Sequence, residues 1–402
     1  MKAISPAEQA VLDRAGDAPM LDQVLRWSAI NSGSRNLSGL ADMAGQLGDA
    51  FAGLPGELRL IQPDPVDAVL PDGRVTPVAH GAHLLVSVRP DAPARMLLTG
   101  HMDTVFAADH PFQRPGVVDA GLLGGPGVAD MKGGIALMLS AVMAFETSPG
   151  AAGLGYDVVI NSDEEVGSPS SAALLRAVSA GKLAAFTYEP ALPDGTLAGA
   201  RPGSGNFSMI VTGRSAHAGR NPEDGRNALL AAADLALRLK AGSGGGFTCN
   251  PARIDGGGPN NMVPGHAILR VNFRPQRAAD EAAARQLITA SIAAVESDHD
   301  VGIQLHGEFG RPPKPVDPGA ERLFALVGRC GADLGLTIAR RDTGGVCDGN
   351  NIAACGIPVV DTMGARGGAI HSDQEFLVVD SLAERARLSA LAMLRIAAGQ
   401  RA

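Results

Sequence analysis

The sequence has little that would mark a secreted, membrane-bound or nucleic-acid-binding protein. Its four cysteines show no Cys-x-x-Cys spacing and are interpreted as free thiols of a reducing cytoplasm. No apolar run approaches the roughly 18 residues needed to span a bilayer, and residues 1–9 lack the apolar core of a signal peptide. A net charge of −8 argues against nucleic acid as a main partner, since that usually needs a basic surface. We therefore expect a cytoplasmic protein that binds neither membrane nor nucleic acid.

The composition that remains is that of an ordinary globular protein. Hydrophobic residues make up 45% of the 402 residues and charged residues 19%, with no sign of disorder. A chain of this length can form two or three domains around a large core.

Most of the chain alternates short apolar runs with longer helical patterns. Such alternation predicts an α/β fold with a mixed, mostly parallel sheet that helices cover on both faces. Predicted strands are 96–99, 158–160 and 185–188, and predicted helices are a pair within 7–54 joined by a turn at 31–34, then 133–145, 171–179 and 381–398.

Between about Gly205 and Lys314 the order of elements changes to β-α-β-β-α-β, which is typical of a split βαβ (ferredoxin-like) α+β domain. Its predicted strands are 206–211, 247–254, 266–273 and 301–305, and its predicted helices are 223–239 and 278–295. Gly/Pro-rich segments on either side are plausible hinges. We therefore predict a domain inserted at 203–314 into a larger domain formed by 1–202 and 315–402.

Five candidate metal ligands follow predicted strands or lie in glycine-rich turns. They are His101, Asp130, Glu165, Glu189 and His371. Two imidazoles and three carboxylates suit zinc, or another divalent ion such as cobalt or manganese. Each residue also has a simpler explanation: Asp130 could cap the next helix, Glu189 could belong to a surface turn, and His371 could be an ordinary loop histidine.

Another acidic residue, Glu164, precedes Glu165 at the end of the strand 158–160. Two adjacent glutamates repel each other unless a cation or a proton intervenes, although a solvated acidic loop is the more common case. Asp103, two residues beyond His101, could likewise be solvated, or it could hold the second ring nitrogen of His101.

Five segments, taken in order along the chain, resemble those of peptidase family M20. They are His101-Met102-Asp103-Thr104-Val105, Gly127-Val128-Ala129-Asp130-Met131-Lys132-Gly133-Gly134, Asp163-Glu164-Glu165-Val166-Gly167-Ser168, Tyr188-Glu189-Pro190 and His371-Ser372-Asp373-Gln374-Glu375-Phe376. Any one of them is a weak signal, but five in the family's order are a strong one. The resemblance covers nearly the whole chain, since the inserted domain matches the family's lid and dimerisation domain.

The resemblance implies a site with two metal ions bridged by Asp130. His101 and Glu189 would complete one ion, and Glu165 and His371 the other, with the ions typically about 3.5–4 Å apart. A bridging water would be the nucleophile, Glu164 would take and return its proton, and Asp103 would orient His101.

The same resemblance implies residues that hold the substrate. His217, in Gly213-Arg214-Ser215-Ala216-His217-Ala218-Gly219, would stabilise the oxyanion, reaching the other subunit's site in a homodimer formed through the inserted domain. Asn260 and Arg311 would hold the substrate's carboxylate, for which the planar arginine fork is well suited. Arg274 is a second candidate, and Gly344 and Gly345 belong to a loop that would offer backbone N–H donors. In isolation, His217 is more simply a turn histidine and Arg274 a surface residue.

Two positions depart from the family's usual residues. Cys347 stands where carboxypeptidase-like relatives usually carry a small or hydroxyl residue, and could be an inhibitory thiol or simply a small buried residue. Met131 stands where many relatives have Asp or Asn. The family's peptide bond before this position is typically cis, and we expect the same here.

These observations lead to one main hypothesis and two alternatives. The main one is a dinuclear metallopeptidase of the glutamate carboxypeptidase type, which hydrolyses an amide bond and releases an amino acid with a free carboxylate. The first alternative is a deacylase of N-acyl amino acids, of the aminoacylase or acetylornithine deacetylase type. The second is a non-catalytic metal-binding or dimerisation protein built on the same scaffold, which would have lost the base or a ligand, but Glu164 and all five candidate ligands are present.

Overall fold

The computed structural model of the protein describes residues 4–400, and its largest sheet has six strands, numbered in chain order. In spatial order they are β1 (Glu57–Ile61), β4 (His83–Val88), β8 (Gly155–Asn161), β5 (Arg95–His101), β9 (Ala184–Thr187) and β18 (Val359–Val360). The last four run parallel, whereas β1 and β4 extend one edge in antiparallel fashion. The prediction of a mixed, mostly parallel sheet is confirmed.

Within the described residues, ten α-helices accompany the sheets. They are α1 (Pro6–Asp17), α2 (Met20–Ser28), α3 (Leu37–Phe51), α4 (Gly133–Glu146), α5 (Ala172–Ser179), α6 (Ala228–Ala241), α7 (Ala278–His299), α8 (Pro318–Asp333), α9 (Asp348–Ala353) and α10 (Ser381–Ala397). Side chains of successive strand residues point to opposite faces. Val158 accordingly joins a large core with α1–α4, α8 and α10, whereas Val159 joins a smaller core with α5 and α9. Both faces of the sheet are therefore covered.

The helix α4 and the turn before it, residues 128–146, are long and apolar enough to cross a membrane by length and composition. Of its most apolar window, 94% is buried inside the protein, and the sheet and α10 surround α4. A central core helix passes the same test of length and composition.

The N-terminal part of the chain differs from its prediction. The two helices expected within 7–54 are three, because α1 ends at Asp17 and α2 begins only at Met20. Pro19 lacks an amide hydrogen and disfavours helical backbone at the residue before it, and Ala18 is extended.

The inserted part of the chain forms a separate antiparallel sheet. Its four strands, in spatial order, are β13 (Phe247–Gly256), β15 (His266–Pro275), β11 (Ser204–Thr212) and β16 (Gly302–Arg311). Helices α6 and α7 cover one face, where Phe207 and Met209 pack, while Asn206 and Ser208 lie on the other face. The predicted β-α-β-β-α-β order is confirmed, but α6 begins at Ala228 rather than near 223, since Asn227 caps it by accepting the Leu230 N–H.

Short strands complete the described part of the chain. One sheet contains β19 (Gly367–Gly368), β20 (Phe376–Val378), β7 (Leu122–Gly124) and β6 (Gly116–Asp119), and three pairs are β2 (Val66–Val69) with β3 (Val75–Val78), β10 (Leu197–Ala198) with β17 (Arg340–Arg341), and β12 (Ala216–His217) with β14 (Met262–Val263).

The parallel strands bring three segments with ionisable side chains to one edge of the six-stranded sheet. His101 at the end of β5 lies opposite Asn161 at the end of β8, and Thr99 lies opposite Thr187 at the end of β9. The residues that follow β8 and β9, including Glu164 and Glu189, therefore emerge beside His101. Such an edge is where ligands bind in open α/β sheets.

Candidate metal centre and its surrounding cavity

The five predicted metal ligands lie close together, with Asp130 between the other four. His101 Nε2 lies 3.1 Å from Asp130 Oδ1 and 3.8 Å from Glu189 Oε1. His371 Nε2 lies 3.3 Å from Asp130 Oδ2 and 3.2 Å from Glu165 Oε2. The two oxygens of Asp130 thus face two different histidine–glutamate pairs.

Each ligand is held by a different local structure. His101 ends β5, Glu165 lies in a single helical turn after β8, and Glu189 follows β9. Asp130 lies in the tight turn before α4, and the Asp130–Met131 peptide bond is cis, as expected. His371 lies in the loop between β19 and β20, where its side chain is 53% exposed, while the other four side chains are largely buried.

The charges in this cluster require compensation. Burial raises the pKa of Glu189 well above its usual value and also raises that of Glu165. Repulsion from neighbouring carboxylates adds to both increases. The pKa of Asp130 is lowered, since hydrogen bonds with His101 and His371 outweigh the effect of its burial. Hydrogen bonds with Asp130 and Glu165 raise the pKa of His371 to about 11. Without a cation, the cluster holds its carboxylates together only by keeping protons.

The donor set fits metal ions. Glu189 Oε1 is buried and has no hydrogen-bond partner within the described chain, as expected for an oxygen reserved for another ligand. One atom each of His101, Asp130 and Glu165 lies within 4.8 Å of the others, and the same holds for His101, Glu164 and Glu189. Imidazole and carboxylate donors at this spacing suit zinc and similar divalent ions.

Asp103 connects His101 with the turn that carries both glutamates. Its carboxylate accepts the N–H groups of Glu164 at 3.1 Å and Glu165 at 3.2 Å, and the Ser34 hydroxyl at 2.6 Å. His101 Nδ1 lies 3.0 Å from the Asp103 carbonyl oxygen and 3.5 Å from its carboxylate. Asp103 is therefore in a position to fix both the imidazole and the glutamate turn.

Glu164 is buried beside the ligands and is paired with Arg311. Arg311 Nη2 lies 2.7 Å from Glu164 Oε1, and it also donates to the Glu164 carbonyl oxygen at 2.8 Å and to Ser168 Oγ at 2.9 Å. Burial raises the pKa of Glu164 to about 8, although the charge of Arg311 acts in the opposite direction. A carboxyl group with a pKa near neutrality can take up and release a proton.

Arg274 lies close to Arg311. Burial lowers the pKa of Arg274, and the like charge of Arg311 lowers it further. Arg274 Nη1 and Arg311 Nε are both buried and have no hydrogen-bond partner within the described residues. Two neighbouring guanidinium groups with unused donors form a favourable place for a carboxylate.

The predicted inserted-domain residues His217 and Asn260 lie elsewhere. His217 lies on β12, is exposed, and accepts the N–H groups of Gly219 and Arg220 through Nδ1. Asn260 is exposed just before β14, the partner of β12. Neither lines the cavity that contains the metal-ligand cluster of the same chain.

A cavity of about 280 Å³ opens onto the ligand cluster. Its walls include the acidic and metal-binding candidates Asp130, Glu164, Glu165, Glu189 and His371, together with Arg201, Arg341, Thr343, Gly345 and Cys347. A larger cavity of about 800 Å³ lies between the β2–β3 hairpin and the inserted sheet. The larger cavity includes Arg311 but none of the five candidate ligands, so we place the chemistry in the smaller one.

Sequence reasoning missed three residues around this site. Arg201 Nε lies 2.7 Å from Asp361 Oδ2, and Arg201 sits in a Gly/Pro-rich segment that was interpreted only as a hinge. Arg341 belongs to a two-residue strand without a recognisable motif. Glu375 stands within the family-like segment but had no assigned role. Its carboxylate accepts the N–H groups of Gly127, Ala129 and Asp130 and so holds the turn that carries Asp130.

Cys347 is buried in the cavity wall beside Asp361, with its Sγ 3.6 Å from Asp361 Oδ2. Burial raises the pKa of the thiol well above its usual value. A thiol that remains protonated is a poor nucleophile and a poor metal ligand. This favours the interpretation of Cys347 as a small buried residue.

Comparisons with known proteins agree with this geometry. Residues 97–395 match the model of peptidase family M20/M25/M40. Carboxypeptidase G2 from Pseudomonas sp. (strain RS-16) is 29% identical over 334 residues, which cover 80% of this chain and 78% of that protein. Succinyl-diaminopimelate desuccinylase from Pseudoalteromonas translucida (strain TAC 125) is 28% identical over 302 residues, covering 70% of this chain and 78% of that protein.

The fold is also similar to solved structures. A dinuclear metal-binding peptidase of the M20 family from Bacillus subtilis matches with a TM-score of 0.66 at 14% identity, covering 96% of this chain and 99% of that chain. The family match extends over most of the sequence and includes all five candidate ligands. The protein belongs to peptidase family M20/M25/M40 and is a metal-dependent hydrolase.

Proposed function

We propose that the protein is a dinuclear metallopeptidase of the glutamate carboxypeptidase type, which hydrolyses an amide bond and releases an amino acid with a free carboxylate. The observation that carries this proposal is the position of Asp130 between two histidine–glutamate pairs. Asp130 could offer one oxygen to each of two ions, and each ion would also receive one imidazole and one further carboxylate. This is the donor set of a two-metal hydrolase.

His101 and Glu189 would hold one ion, His371 and Glu165 the other, and Asp130 both. Zinc is our first choice, with cobalt or manganese as alternatives, because imidazole and carboxylate donors suit all three. When bound, the two ions would lower the pKa of a water and polarise the substrate carbonyl.

Glu164 would carry the proton. It lies in the same cavity as the ligands, where it would accept a proton from the attacking water and return it to the leaving amine. Asp103 holds the Glu164 and Glu165 N–H groups, so that the base and a metal ligand keep a fixed relation to each other.

The substrate's α-carboxylate would bind at Arg311 and Arg274. Their unused donors, Arg311 Nε and Arg274 Nη1, are buried, and Arg311 pairs directly with Glu164 through Nη2. Gly345 lines the metal-site cavity, and the backbone N–H groups of Gly344 and Gly345 are further candidates for binding. The amide of an amino acid would then place its nitrogen beside Glu164.

The active unit would be a homodimer formed through the inserted domain. His217 and Asn260 are exposed and lie outside the metal-site cavity of their own chain, as residues that serve a neighbouring subunit would. Helix α6 also exposes three leucines, Leu229, Leu230 and Leu237, the last at 71%. Burial of these side chains between two copies would favour association. Light scattering on the purified protein would give a monomer's mass if this arrangement were wrong.

We place the enzyme in the cytoplasm, where the unpaired Cys249, Cys330, Cys347 and Cys355 would stay reduced.

A substrate panel tests the function. We expect metal-dependent release of glutamate from N-acyl-glutamates and from dipeptides that end in glutamate, lost after chelation and restored by zinc. The second candidate, a deacylase of N-acyl amino acids, is favoured by the similarity to a succinyl-diaminopimelate desuccinylase. Faster hydrolysis of small N-acetyl or N-succinyl amino acids than of peptides would support it. If no amide is hydrolysed with any of zinc, cobalt or manganese, the proposal is wrong.

A further inference from the structure

We propose that Arg341 binds a second carboxylate of the substrate, so that the enzyme selects amides with one carboxylate near the scissile bond and another farther away. This inference rests on the proposed function, and it assigns a specificity residue to the same site. Arg341 lines the cavity that contains Asp130, Glu165, Glu189 and His371.

The Arg341 backbone is firmly placed although its side chain is exposed. Its strand β17 pairs with β10 in the register Ala198 opposite Arg341, and the Gly199 N–H donates to the Arg341 carbonyl oxygen at 2.7 Å. Two residues farther on, the Thr343 N–H donates to the Ala200 carbonyl oxygen at 3.1 Å. These bonds hold the segment against the cavity wall, and the guanidinium remains free to meet a ligand.

The neighbouring Arg340 shows what a structural arginine looks like in the same strand. Arg340 Nη2 lies 2.6 Å from Glu321 Oε2, and its guanidinium lies over the Phe324 ring at 5.1 Å. Arg340 does not line the cavity. Successive strand residues point to opposite sides, which explains why two adjacent arginines have different surroundings.

Nothing in the described chain neutralises Arg341. No carboxylate of residues 4–400 forms an ion pair with it, and both the adjacent Asp342 and Asp194, on which its charge acts, have hydrogen-bond partners of their own. Asp342 Oδ1 accepts the Ala200 N–H at 2.8 Å, and Asp194 Oδ1 accepts the Thr196 N–H at 2.9 Å. The hydrogen bonds from Thr196 are the main cause of the lowered pKa of Asp194, and the positive charge of Arg341 contributes less to it.

A second arginine of the cavity wall, Arg201, is buried. Arg201 and Lys314 both pair with Asp361, at 2.7 and 3.2 Å, so two positive charges share one carboxylate. The cavity lining therefore contains two arginines together with the candidate metal ligands. A planar guanidinium at such a wall is suited to a carboxylate, which it can bind through two N–H groups.

The second carboxylate could come from either part of the substrate. It could be the side chain of the released amino acid, as in glutamate, or the end of a dicarboxylic acyl group. Two matched substrate pairs separate these sources: N-benzoyl-glutamate with N-benzoyl-glutamine, and N-succinyl-alanine with N-butyryl-alanine. Each pair differs mainly in one carboxylate.

The experiment compares the wild type with Arg341→Gln and with Arg340→Gln as the matched control. We expect R341Q to lower the ratio of kcat/KM between the charged and the neutral member of one pair by about 10–100-fold, the range for a lost charged hydrogen bond. R340Q should leave both ratios at their wild-type values. The pair that responds identifies the part of the substrate that carries the carboxylate.

Two results would overturn the proposal, and they differ in what else they affect. Metal-dependent hydrolysis in which R341Q changes neither ratio would overturn the role of Arg341 and leave the proposed function standing. Absence of metal-dependent hydrolysis for all four substrates and for a dipeptide panel would overturn both. Metal content and the circular dichroism spectrum of R341Q, equal to those of the wild type, would exclude misfolding as the cause of a changed ratio.

Discussion

The six-stranded sheet and the inserted four-stranded sheet hold their candidate functional residues in different ways. At the carboxyl edge of the first, His101, Asp130 and Glu189 are buried and lie within a few ångströms of one another. On the inserted domain, His217 and Asn260 are exposed and contact no metal ligand of their own chain. Parallel strands bring all their following loops to one edge, whereas an antiparallel sheet with helices on one face leaves its turns at the surface. On the proposed function, the first region would hold the metal ions with residues of one chain, and the second would act on the site of another chain.

The strongest test of the first region is Glu164→Gln. Glutamine cannot carry the proton, so we expect the rate to fall by about 10²–10⁴-fold, the usual contribution of a general acid–base group. Metal content should stay at the wild-type value, since Glu164 is not among the five proposed ligands. Elemental analysis and steady-state kinetics measure both, with the exposed Glu57→Gln as the control. A variant with full activity would remove Glu164 from the mechanism.

For the second region, His217→Ala tests whether one chain completes the site of another. We expect a loss of about 10²–10³-fold, as for an oxyanion donor, with unchanged metal content. Mixing H217A with E164Q under subunit exchange should restore about a quarter of the wild-type activity, because one site in each mixed dimer is then complete. If His217 acted within its own chain, no activity would return on mixing, and if it had no role, H217A alone would keep the wild-type rate.

A smaller effect, on metal affinity, is expected when the turn that carries Asp130 loses the carboxylate that supports it. Glu375→Ala removes the acceptor of three backbone N–H groups, and we expect metal affinity to fall by about 10–100-fold, as for other residues that orient ligands. Competition with a chelator measures the affinity, and Glu375→Gln, which keeps one acceptor oxygen, should have a metal affinity between those of the wild type and the alanine variant. The exposed Glu308→Ala is the control. Wild-type affinity in E375A would show that the turn holds its shape without the carboxylate.

The smallest effect concerns the pH dependence of stability and the buried His83, which contacts Ser162 and Ser170 on either side of the Glu164–Glu165 turn. Burial lowers the pKa of His83, and the ring lies 3.3 Å from the Ser162 N–H and 3.2 Å from Ser170 Oγ. Because the unfolded chain takes up this proton at a higher pH than the folded one, the stability that His83 contributes is complete above about pH 6.5 and is lost as the pH falls below it.

We therefore expect the urea concentration at the unfolding midpoint to decrease as the pH is lowered from 7.5 to 5.5, and to decrease less in His83→Asn. His110→Asn, at a loop histidine, is the control and should follow the wild type. An identical pH dependence in H83N would mean that other groups cause the loss.

The comparison also explains which predictions from the sequence held. Alternating elements and apolar runs predicted the mixed sheet, and the β-α-β-β-α-β order predicted the inserted fold, because both depend on local periodicity. The error at Ala18–Pro19 was local too, since the proline was overlooked as a boundary between helices. The resemblance named five ligands, and the structure brings all five together.

The sequence by itself determined the secondary-structure order, the acids and histidines that follow the strands, and the family to which they belong. Only the tertiary structure decided how charges are shared: that Arg311 meets Glu164, that Arg201 and Lys314 share Asp361, and that the Arg341 guanidinium forms no ion pair within residues 4–400. The reason is physical. Strand and helix patterns repeat within a few residues, whereas these ion pairs join residues far apart in the sequence, and their partners depend on how the sheets and loops pack.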